Sequence, residues 1–242
     1  ELSTMKAMGI ADVTWADFTP VAQINADAAA LIVRQDAPWR TLGDWLDTIR
    51  REPGRLKMSG TATGGAWDLA RAGLLLQAGM APTNVIWAPA QGSAPALVEL
   101  LGGHIDAVSC SVPEAMAQLE GGQARVLAVL SPGRLPQYPD YPTAREQGVD
   151  YEAVGWRGLM LPRGAPASVV ATLSDRLLDI TRSEEFAAFM RKNGFTPEVR
   201  LAADFRSYLA AQETKWRDII RGAAYEGIGR SGADPGPRAM PL

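Results

Sequence analysis

Two short turns rich in glycine and hydroxyl residues are the segments of this sequence best suited to hold a ligand. The first turn contains Ser59, Gly60, Thr61, Thr63, Gly64 and Gly65, and the second contains Gln91, Gly92 and Ser93. Each lies between a strand-like run and a helix-like run, so each begins a helix. Unpaired N–H groups and the helix dipole attract carboxylate or phosphate at that position. We therefore expect an organic anion at these turns, although ordinary helix capping is a simpler interpretation that stays open.

The residues available for catalysis or metal binding are few. His104 is the only histidine and Cys110 the only cysteine, which excludes cysteine-ligated zinc, an intrachain disulfide and most Ser–His or Cys–His schemes. The first turn lacks the Gly-Lys-Ser/Thr ending of a P-loop, and its spacing does not fit a dinucleotide fingerprint. We expect no catalytic residue, no metal and no cofactor, and an enzyme that acts on a carboxylate through a serine or Cys110 is an alternative.

Tryptophans beside the glycine-bearing segments could form the wall of a pocket. Trp67 follows the first turn and Trp156 lies in a later strand-like run, and we expect both at a binding pocket. The remaining tryptophans, except Trp87, sit on amphipathic elements and predict core packing. Asp68 and Asp106 could pair with an amine on a ligand, but capping or surface roles are the simpler expectation.

Composition sets the class of protein. The 242 residues are 47% hydrophobic and 21% charged with a net charge of −3, which is typical of a globular protein and not of a nucleic-acid binder. No apolar run reaches the roughly 18 residues needed to cross a bilayer. The first residues, Glu1 to Thr4, lack the layout of a signal peptide, so we expect an N-terminal segment that was processed, trimmed or never included in this sequence.

Strand-like and helix-like runs alternate along the chain, which predicts an α/β fold with mostly parallel sheets flanked by helices. The predicted strands cover residues 29–33, 55–59, 84–87, 105–110, 126–130 and 154–161. The predicted helices cover residues 42–49, 67–78, 96–101, 114–119, 167–180, 183–192 and 203–219. Residues 227–242 have no periodicity and predict a disordered tail.

Taken in order, several segments resemble the Bug family, the solute receptors of tripartite tricarboxylate transporters. The similar segments are residues 31–34, 37–42, 53–56, 59–65, 91–97, 100–106, 125–129, 139–143 and 158–166. They include Ala-Pro-Trp-Arg-Thr-Leu at 37–42 and Leu-Leu-Gly-Gly-His-Ile-Asp at 100–106. The set is collinear from about residue 14 to residue 223, and it is the order of the segments rather than any single motif that is specific.

The resemblance implies a bilobed fold of the periplasmic-binding-protein type II kind that closes over its ligand like a flytrap. Lobe one would comprise residues 1–36 and 151–226, and lobe two residues 37–150. It implies a periplasmic receptor that binds a small organic carboxylate, delivers it to membrane transporter subunits and catalyses no reaction. Trp67 and Asp68 replace smaller or different polar residues of many members, so the ligand need not be a simple tricarboxylate.

Family members begin with a strand and a Pro- and Gly-rich loop, and we expect that stretch to be missing before Glu1. We therefore expect an incomplete first lobe with an unpaired sheet edge, which favours a homodimer. A ligand-sensing domain of a regulator with the same fold is the alternative function. Such a regulator would carry a helix-turn-helix upstream of this sequence.

Overall fold

The computed structural model describes residues 2–226 as a mixed α/β structure. Its strands are β1 (Phe18–Arg34), β2 (Lys57–Ser59), β3 (Ile86–Trp87), β4 (Ala107–Ser111), β5 (Ala124–Val129), β6 (Val154–Pro162) and β7 (Pro197–Leu201). Its α-helices are α1 (Leu42–Arg51), α2 (Ala66–Gln77), α3 (Ser93–Leu101), α4 (Met116–Glu120), α5 (Ala167–Thr181), α6 (Glu184–Lys192) and α7 (Ala202–Gly222). The predicted disordered tail, residues 227–242, lies outside the described residues.

Strand β1 belongs to two sheets at once. Its second half, from Ala29, lies between β4 and β5 in the order β3-β2-β4-β1-β5, which we call the five-stranded part. Its first half, up to Ala28, lies between β6 and β7, which we call the three-stranded part. A single 17-residue strand therefore joins both sheets without a loop between them.

The strand directions differ from the predicted mostly parallel arrangement. The pairs β2–β3 and β2–β4 are parallel, whereas β1 runs antiparallel to β4, β5, β6 and β7. The apolar run at residues 29–33 gives no sign of strand direction, because a buried strand has the same pattern in either orientation. The α/β class with helices against the sheets is as predicted, but the sheets are mixed.

Local sequence explains where α1 begins and which face it buries. Thr41 caps the helix by accepting a hydrogen bond from the Asp44 amide at 3.1 Å, while the Asp44 carboxylate accepts from the Thr41 amide at 3.0 Å. This reciprocal pair is a capping box. The apolar residues spaced along the helix, Leu42, Trp45, Leu46 and Ile49, are all buried. The helix thus packs one face on the sheet, as its periodicity predicts.

The main hydrophobic core lies in the five-stranded part. Buried residues from β1, β4 and β5 pack there against α1, α2 and α3, and Ile32, Trp45 and Leu75 are fully buried. The three-stranded part has a smaller set of buried apolar residues that includes Phe205 and Leu209. The two parts therefore differ in packing as well as in strand number.

Two strands of the three-stranded part are absent from the predicted elements, the first half of β1 and β7. The first half of β1 carries Gln23, Asn25 and Asp27, which are polar yet at most 3% exposed. Asp27 accepts hydrogen bonds from the Asn25 amide group at 2.8 Å and from the Arg157 guanidinium at 2.7 Å. These hydrogen bonds, including the one from the distant Arg157, offset the cost of burying polar side chains in a segment whose sequence does not predict a strand.

Candidate functional site

The two glycine-bearing turns lie next to each other at one edge of the five-stranded part. Strands β2 and β3 are parallel neighbours, so the turns that follow them leave the sheet at the same edge. The Ala90 amide donates to the Thr61 carbonyl oxygen at 3.1 Å, which links the two turns directly. A Cβ atom at Gly60 would overlap the backbone carbonyl oxygen of Ser109 and lie 3.1 Å from the Trp87 ring, so only glycine allows this approach.

Glycine is also required by backbone conformation within the turns. Gly64 has a φ of +73° and Gly92 a φ of +115°, both in the region that L-residues rarely adopt. The N-cap residues are Gly65 for α2 and Gly92 for α3, and no side chain in the described part of the chain caps either helix. In contrast, Thr41 caps α1. The first-turn N–H groups of α2 and α3 thus lack both an intrahelical acceptor and a side-chain cap.

A buried ion pair fixes the first turn. Asp68 and Arg71 are 0% and 2% exposed, and the Arg71 Nη2 lies 2.6 Å from the Asp68 Oδ1. The other Asp68 oxygen accepts from the Gly64 amide at 2.8 Å, and Arg71 donates to the Pro82 carbonyl at 2.6 Å and to the Tyr225 hydroxyl at 2.8 Å. Asp68 therefore positions the loop, and Asp106 accepts from the Lys57 amide in a similar structural role.

The second turn already faces a carboxylate of the chain. The Ser93 hydroxyl donates to Glu114 Oε1 at 2.8 Å, and the amide and hydroxyl of Ser111 donate to Glu114 Oε2. Ser93 is only 7% exposed, whereas Gln91 is exposed. Any anion that binds at the start of α3 has to compete with Glu114 for the Ser93 hydroxyl.

A cavity of about 400 Å³ lies where α2 begins, between α2, β6 and α7; we call it the β6–α2 cavity. It is lined by Leu2, Ser3, Thr4, Ala66, Leu69, residues 154–158 and Trp216. Ala66 is the first residue of α2, so the helix N-terminus forms part of the wall. The cavity size falls in the range of small-molecule sites.

The structure brings some of the predicted site residues to this cavity and not others. Trp156 lines it, whereas Trp67 is buried beside it, with its ring 3.0 Å from where a Cβ of Gly155 would stand. Residues 59–65 of the first turn lead up to the wall at Ala66, and the second turn lies behind them through the Thr61–Ala90 hydrogen bond. The predicted residues thus form one neighbourhood, with only Trp156 directly in the cavity lining.

Sequence reasoning missed Trp216 and Ser3 as lining residues. Trp216 lies on the amphipathic helix α7, where its spacing predicts a packing role, and it is 6% exposed. It comes to the cavity because α7 packs against α2. Nothing in the local sequence of either residue could have placed it next to Ala66.

The lone cysteine and the lone histidine, Cys110 and His104, lie in different environments. Burial raises the pKa of the Cys110 thiol well above its usual value, and the nearby Glu114 carboxylate raises it further. The thiol form is therefore favoured over the reactive thiolate at neutral pH. His104 is exposed and contacts Glu99 at 2.9 Å, and within residues 2–226 no cluster of three or more His, Cys, Asp or Glu side chains could hold a metal ion.

Comparisons with known proteins agree on one family. The profile of the tripartite tricarboxylate transporter family receptor, TctC, matches residues 6–224. A UPF0065 protein from the tcbD-tcbE intergenic region of a Pseudomonas species is 29% identical over 211 residues, covering 84% of this chain and 60% of the relative. The chain thus spans about six-tenths of the length of that curated relative.

Two solved structures of similar fold also match. A TctC solute-binding protein from Polaromonas, solved without ligand, is 30% identical with a TM-score of 0.77, covering 91% of this chain and 75% of that one. Rpa4515 of R. palustris, solved with adipate, is 27% identical with a TM-score of 0.77, covering 86% of this chain and 69% of that one. The bilobed α/β class implied by the sequence is confirmed, and the chain belongs to the tripartite tricarboxylate transporter receptor (TctC) family.

Proposed function

We propose that this chain forms the ligand-binding part of a periplasmic receptor for a small organic carboxylate. The observation that carries the proposal is the pair of helices α2 and α3. Both begin at a glycine without a side-chain cap, and their preceding turns are joined by the Ala90–Thr61 hydrogen bond. Two helix N-termini side by side attract an anion more strongly than one. The match to a receptor family and the adipate-bound relative support the same ligand class.

The proposed contacts are the backbone amides and hydroxyls of the two turns. These are Ser59, Gly60, Thr61, Thr63, Gly64 and Gly65 in the first turn, and Gln91, Gly92 and Ser93 in the second, with Trp67 and Trp156 as aromatic walls. Thr63 and Gln91 are exposed and accessible to a ligand. Asp68 and Arg71 hold the first turn in place but neutralise each other, so they leave the helix N-terminus available to an anion.

Lobe closure is the proposed mechanism of delivery. Residues 1–36 and 151–226 would form lobe one and residues 37–150 lobe two, with the closed form recognised by the membrane subunits of a tripartite transporter. Within residues 2–226 no helix has the length and apolar character to span a bilayer. The role as a sensing domain of a regulator loses support, because the matching family consists of transporter receptors.

The open edge of β6 is the proposed site of self-association. Within the described residues β6 pairs only with β1, and Leu159 on β6 is 38% exposed. An unpaired strand edge with apolar side chains is a template for pairing with a second strand. Light scattering should give the mass of a dimer at micromolar concentration, and Leu159→Lys should give the monomer mass. A monomer mass for the parent chain at all concentrations would reject the dimer.

Titration calorimetry with small carboxylates tests the receptor proposal. Thr63→Asp places a negative charge in the first turn and should raise the Kd for any bound acid about tenfold or more, the equivalent of about 1.4 kcal/mol. Thr83→Asp is the matched control, since Thr83 is also an exposed threonine but lies in the 3-10 turn Pro82–Asn84 between α2 and β3. Equal Kd values for both variants would remove the first turn from the site.

The Glu114→Gln variant tests whether the second turn contributes to ligand binding. If the ligand carboxylate accepts from Ser93, loss of the Glu114 charge removes a competitor and should lower the Kd severalfold. If the ligand contacts only the first turn, Glu114→Gln should leave the Kd close to that of the parent chain. The two variants together therefore locate the bound anion.

A further inference from the structure

Helix α7 ends in a turn whose backbone is strained at an alanine. The Ala224 amide donates to the Arg221 carbonyl oxygen at 3.1 Å. The Tyr225 amide donates to the Ile220 carbonyl oxygen at 2.9 Å. These two hydrogen bonds form the Schellman arrangement, which places one residue in the left-handed region. Ala224 has a φ of +57° and is the one non-glycine residue in that region among residues 2–226. A side chain makes this conformation costly, so neighbouring contacts must hold the turn in place.

The side chain of Tyr225 joins this turn to α2. Its hydroxyl accepts a hydrogen bond from Arg71 Nη2 at 2.8 Å and donates to Asp68 Oδ1 at 3.3 Å. Burial raises the pKa of the Tyr225 hydroxyl, and the negative charge of Asp68 raises it further. The hydroxyl therefore keeps its proton at neutral pH and can donate and accept at once. Asp68 and Arg71 are 0% and 2% exposed, so bulk water does not reach them to replace the hydroxyl.

The carboxylate that Tyr225 contacts also holds the first turn. Asp68 Oδ2 accepts a hydrogen bond from the Gly64 amide at 2.8 Å. Gly64 is buried and has a φ of +73°, so the hydrogen bond of its amide reports the conformation of the turn. One oxygen of Asp68 thus faces the Gly64 amide, and the other faces Arg71 and Tyr225. A rotation of this carboxylate changes both sets of contacts together.

Helix α7 connects this network to the three-stranded part. Near the start of the helix, Phe205 packs against the backbone of β6 at Gly158, where a Cβ atom would lie 2.9 Å from the Phe205 ring. At the end of the helix, Gly222 lies against Leu76 of α2, and a Cβ atom there would be 2.8 Å from the Leu76 side chain. The helix is one 21-residue element. Because a regular helix moves as a rigid rod, it carries a displacement of the three-stranded part to Tyr225.

We propose that Tyr225 is a positioning residue of the receptor, which through Asp68 makes the conformation of the first turn depend on where the end of α7 lies on α2. This inference rests on the proposed function, because the first turn is the proposed anion site. When lobe closure shifts α7 against α2, the Tyr225 contact changes and the hydrogen bond of the Gly64 amide changes with it. By linkage, an anion held by the first turn favours one position of α7 over the others.

Hydrogen exchange of the Gly64 amide in the ligand-free chain, followed by NMR, tests this role. Tyr225→Phe keeps the ring and removes only the hydroxyl, so Asp68 loses one donor and the Gly64 amide should exchange at least about threefold faster. Tyr138→Phe is the matched control, because the Tyr138 hydroxyl also joins the two parts by donating to the Gly194 carbonyl oxygen at 3.2 Å. That hydrogen bond ends on the loop between α6 and β7 and not on the first turn, so the exchange rate of Gly64 should not change.

The Val108 amide separates a positioning role from a general loss of stability. Val108 lies on β4, which is flanked by β1 and β2, so its amide reports global unfolding. A positioning role speeds exchange at Gly64 and leaves Val108 unchanged, whereas equal acceleration of both amides by Tyr225→Phe would overturn the proposal. An unchanged Gly64 rate, or the same increase in Tyr138→Phe, would overturn it as well. Because the exchange is measured without ligand, a chain that binds no acid in the calorimetric titration would overturn the receptor proposal alone.

Discussion

The five-stranded and three-stranded parts share a strand but differ in how completely they are packed. Of the eight large apolar side chains that are exposed in residues 2–226, five lie on elements of the three-stranded part, namely Leu159, Val169, Ile180, Phe189 and Val199. The main core cluster, by contrast, takes almost all of its strand and helix residues from the five-stranded part. The five-stranded part therefore buries more of the apolar side chains, so hydrophobic burial contributes more to its stability than to that of the three-stranded part.

The difference in packing between the two parts is tested most strongly by removing the arginine partner of a buried aspartate in each part. Arg71→Met leaves Asp68 without a cation in the dry interior of the five-stranded part, and should lower the free energy of unfolding by about 3–5 kcal/mol. Arg157→Met removes the partner of Asp27, but the Arg157 side chain is 52% exposed and Asp27 keeps its bonds from Asn25 and Thr196. Its loss should be about 1–2 kcal/mol. Urea denaturation measures both, and equal losses would contradict the difference in packing.

The same Leu→Ala substitution, made once in each part, compares how tightly the two parts are packed. Leu75 and Leu209 are both fully buried, but only Leu75 belongs to the main core cluster. Leu75→Ala should cost about 4 kcal/mol and Leu209→Ala about 2 kcal/mol, because a loosely packed site relaxes around the lost methyl groups. Urea unfolding followed by tryptophan fluorescence gives the two values. A larger loss at Leu209 would mean that the three-stranded part is the better packed of the two.

Hydrogen exchange should show a difference in local stability between the two parts in the unmutated chain. Strand β4 is flanked by β1 and β2, whereas β6 pairs with β1 alone among residues 2–226. Amides of Val108 and Cys110 should exchange only with global unfolding, and those of β6 should exchange through local opening at lower free energy. Uniform exchange along both strands, measured by mass spectrometry, would indicate that the whole chain opens as one unit.

The smallest expected effect is the pH dependence contributed by the α1 cap. Hydrogen bonds from the Arg40 and Thr41 amides lower the pKa of Asp44 below its ordinary value of 3.8. A carboxyl whose pKa is lower in the folded state adds stability above pH 3.8, and this is lost as the pH falls through the folded-state pKa. Asp44→Asn should therefore reduce the acid sensitivity of the urea midpoint below pH 3.8. An unchanged slope would exclude Asp44 as its source.

The sequence predicts the elements of the five-stranded part better than those of the three-stranded part. Helices and strands of the five-stranded part have regular apolar spacing, such as Leu42, Trp45 and Ile49 in α1, and each was predicted near its observed bounds. In the three-stranded part, β6 and the helices were predicted, but the first half of β1 buries Gln23 and Asn25. Only cross-strand partners make such residues strand-forming, and a single sequence does not show partners.

Some residues of the candidate site have local sequence signatures, whereas others reach it only through tertiary packing. The two glycine turns are readable because helix starts and positive-φ glycines leave local signatures, as at Gly64 and Gly92. Ser3 and Trp216 reach the cavity from opposite ends of the chain, and neither carries a motif. Tertiary packing decides such neighbours, so sequence pattern alone predicts the turns but not the cavity beside them.

The continuity of β1 has a mechanical consequence. A loop can concentrate a rotation in one or two backbone bonds, whereas a hydrogen-bonded strand distributes it over many residues. The passage from one sheet to the other falls at Ala28, Ala29 and Ala30, where small side chains leave room for twisting, and Ala29 is tied to the neighbouring backbone at Ala153 and Leu130. A change in the angle between the sheets would therefore be spread as small torsions over several residues of β1 and would not be concentrated at one bond.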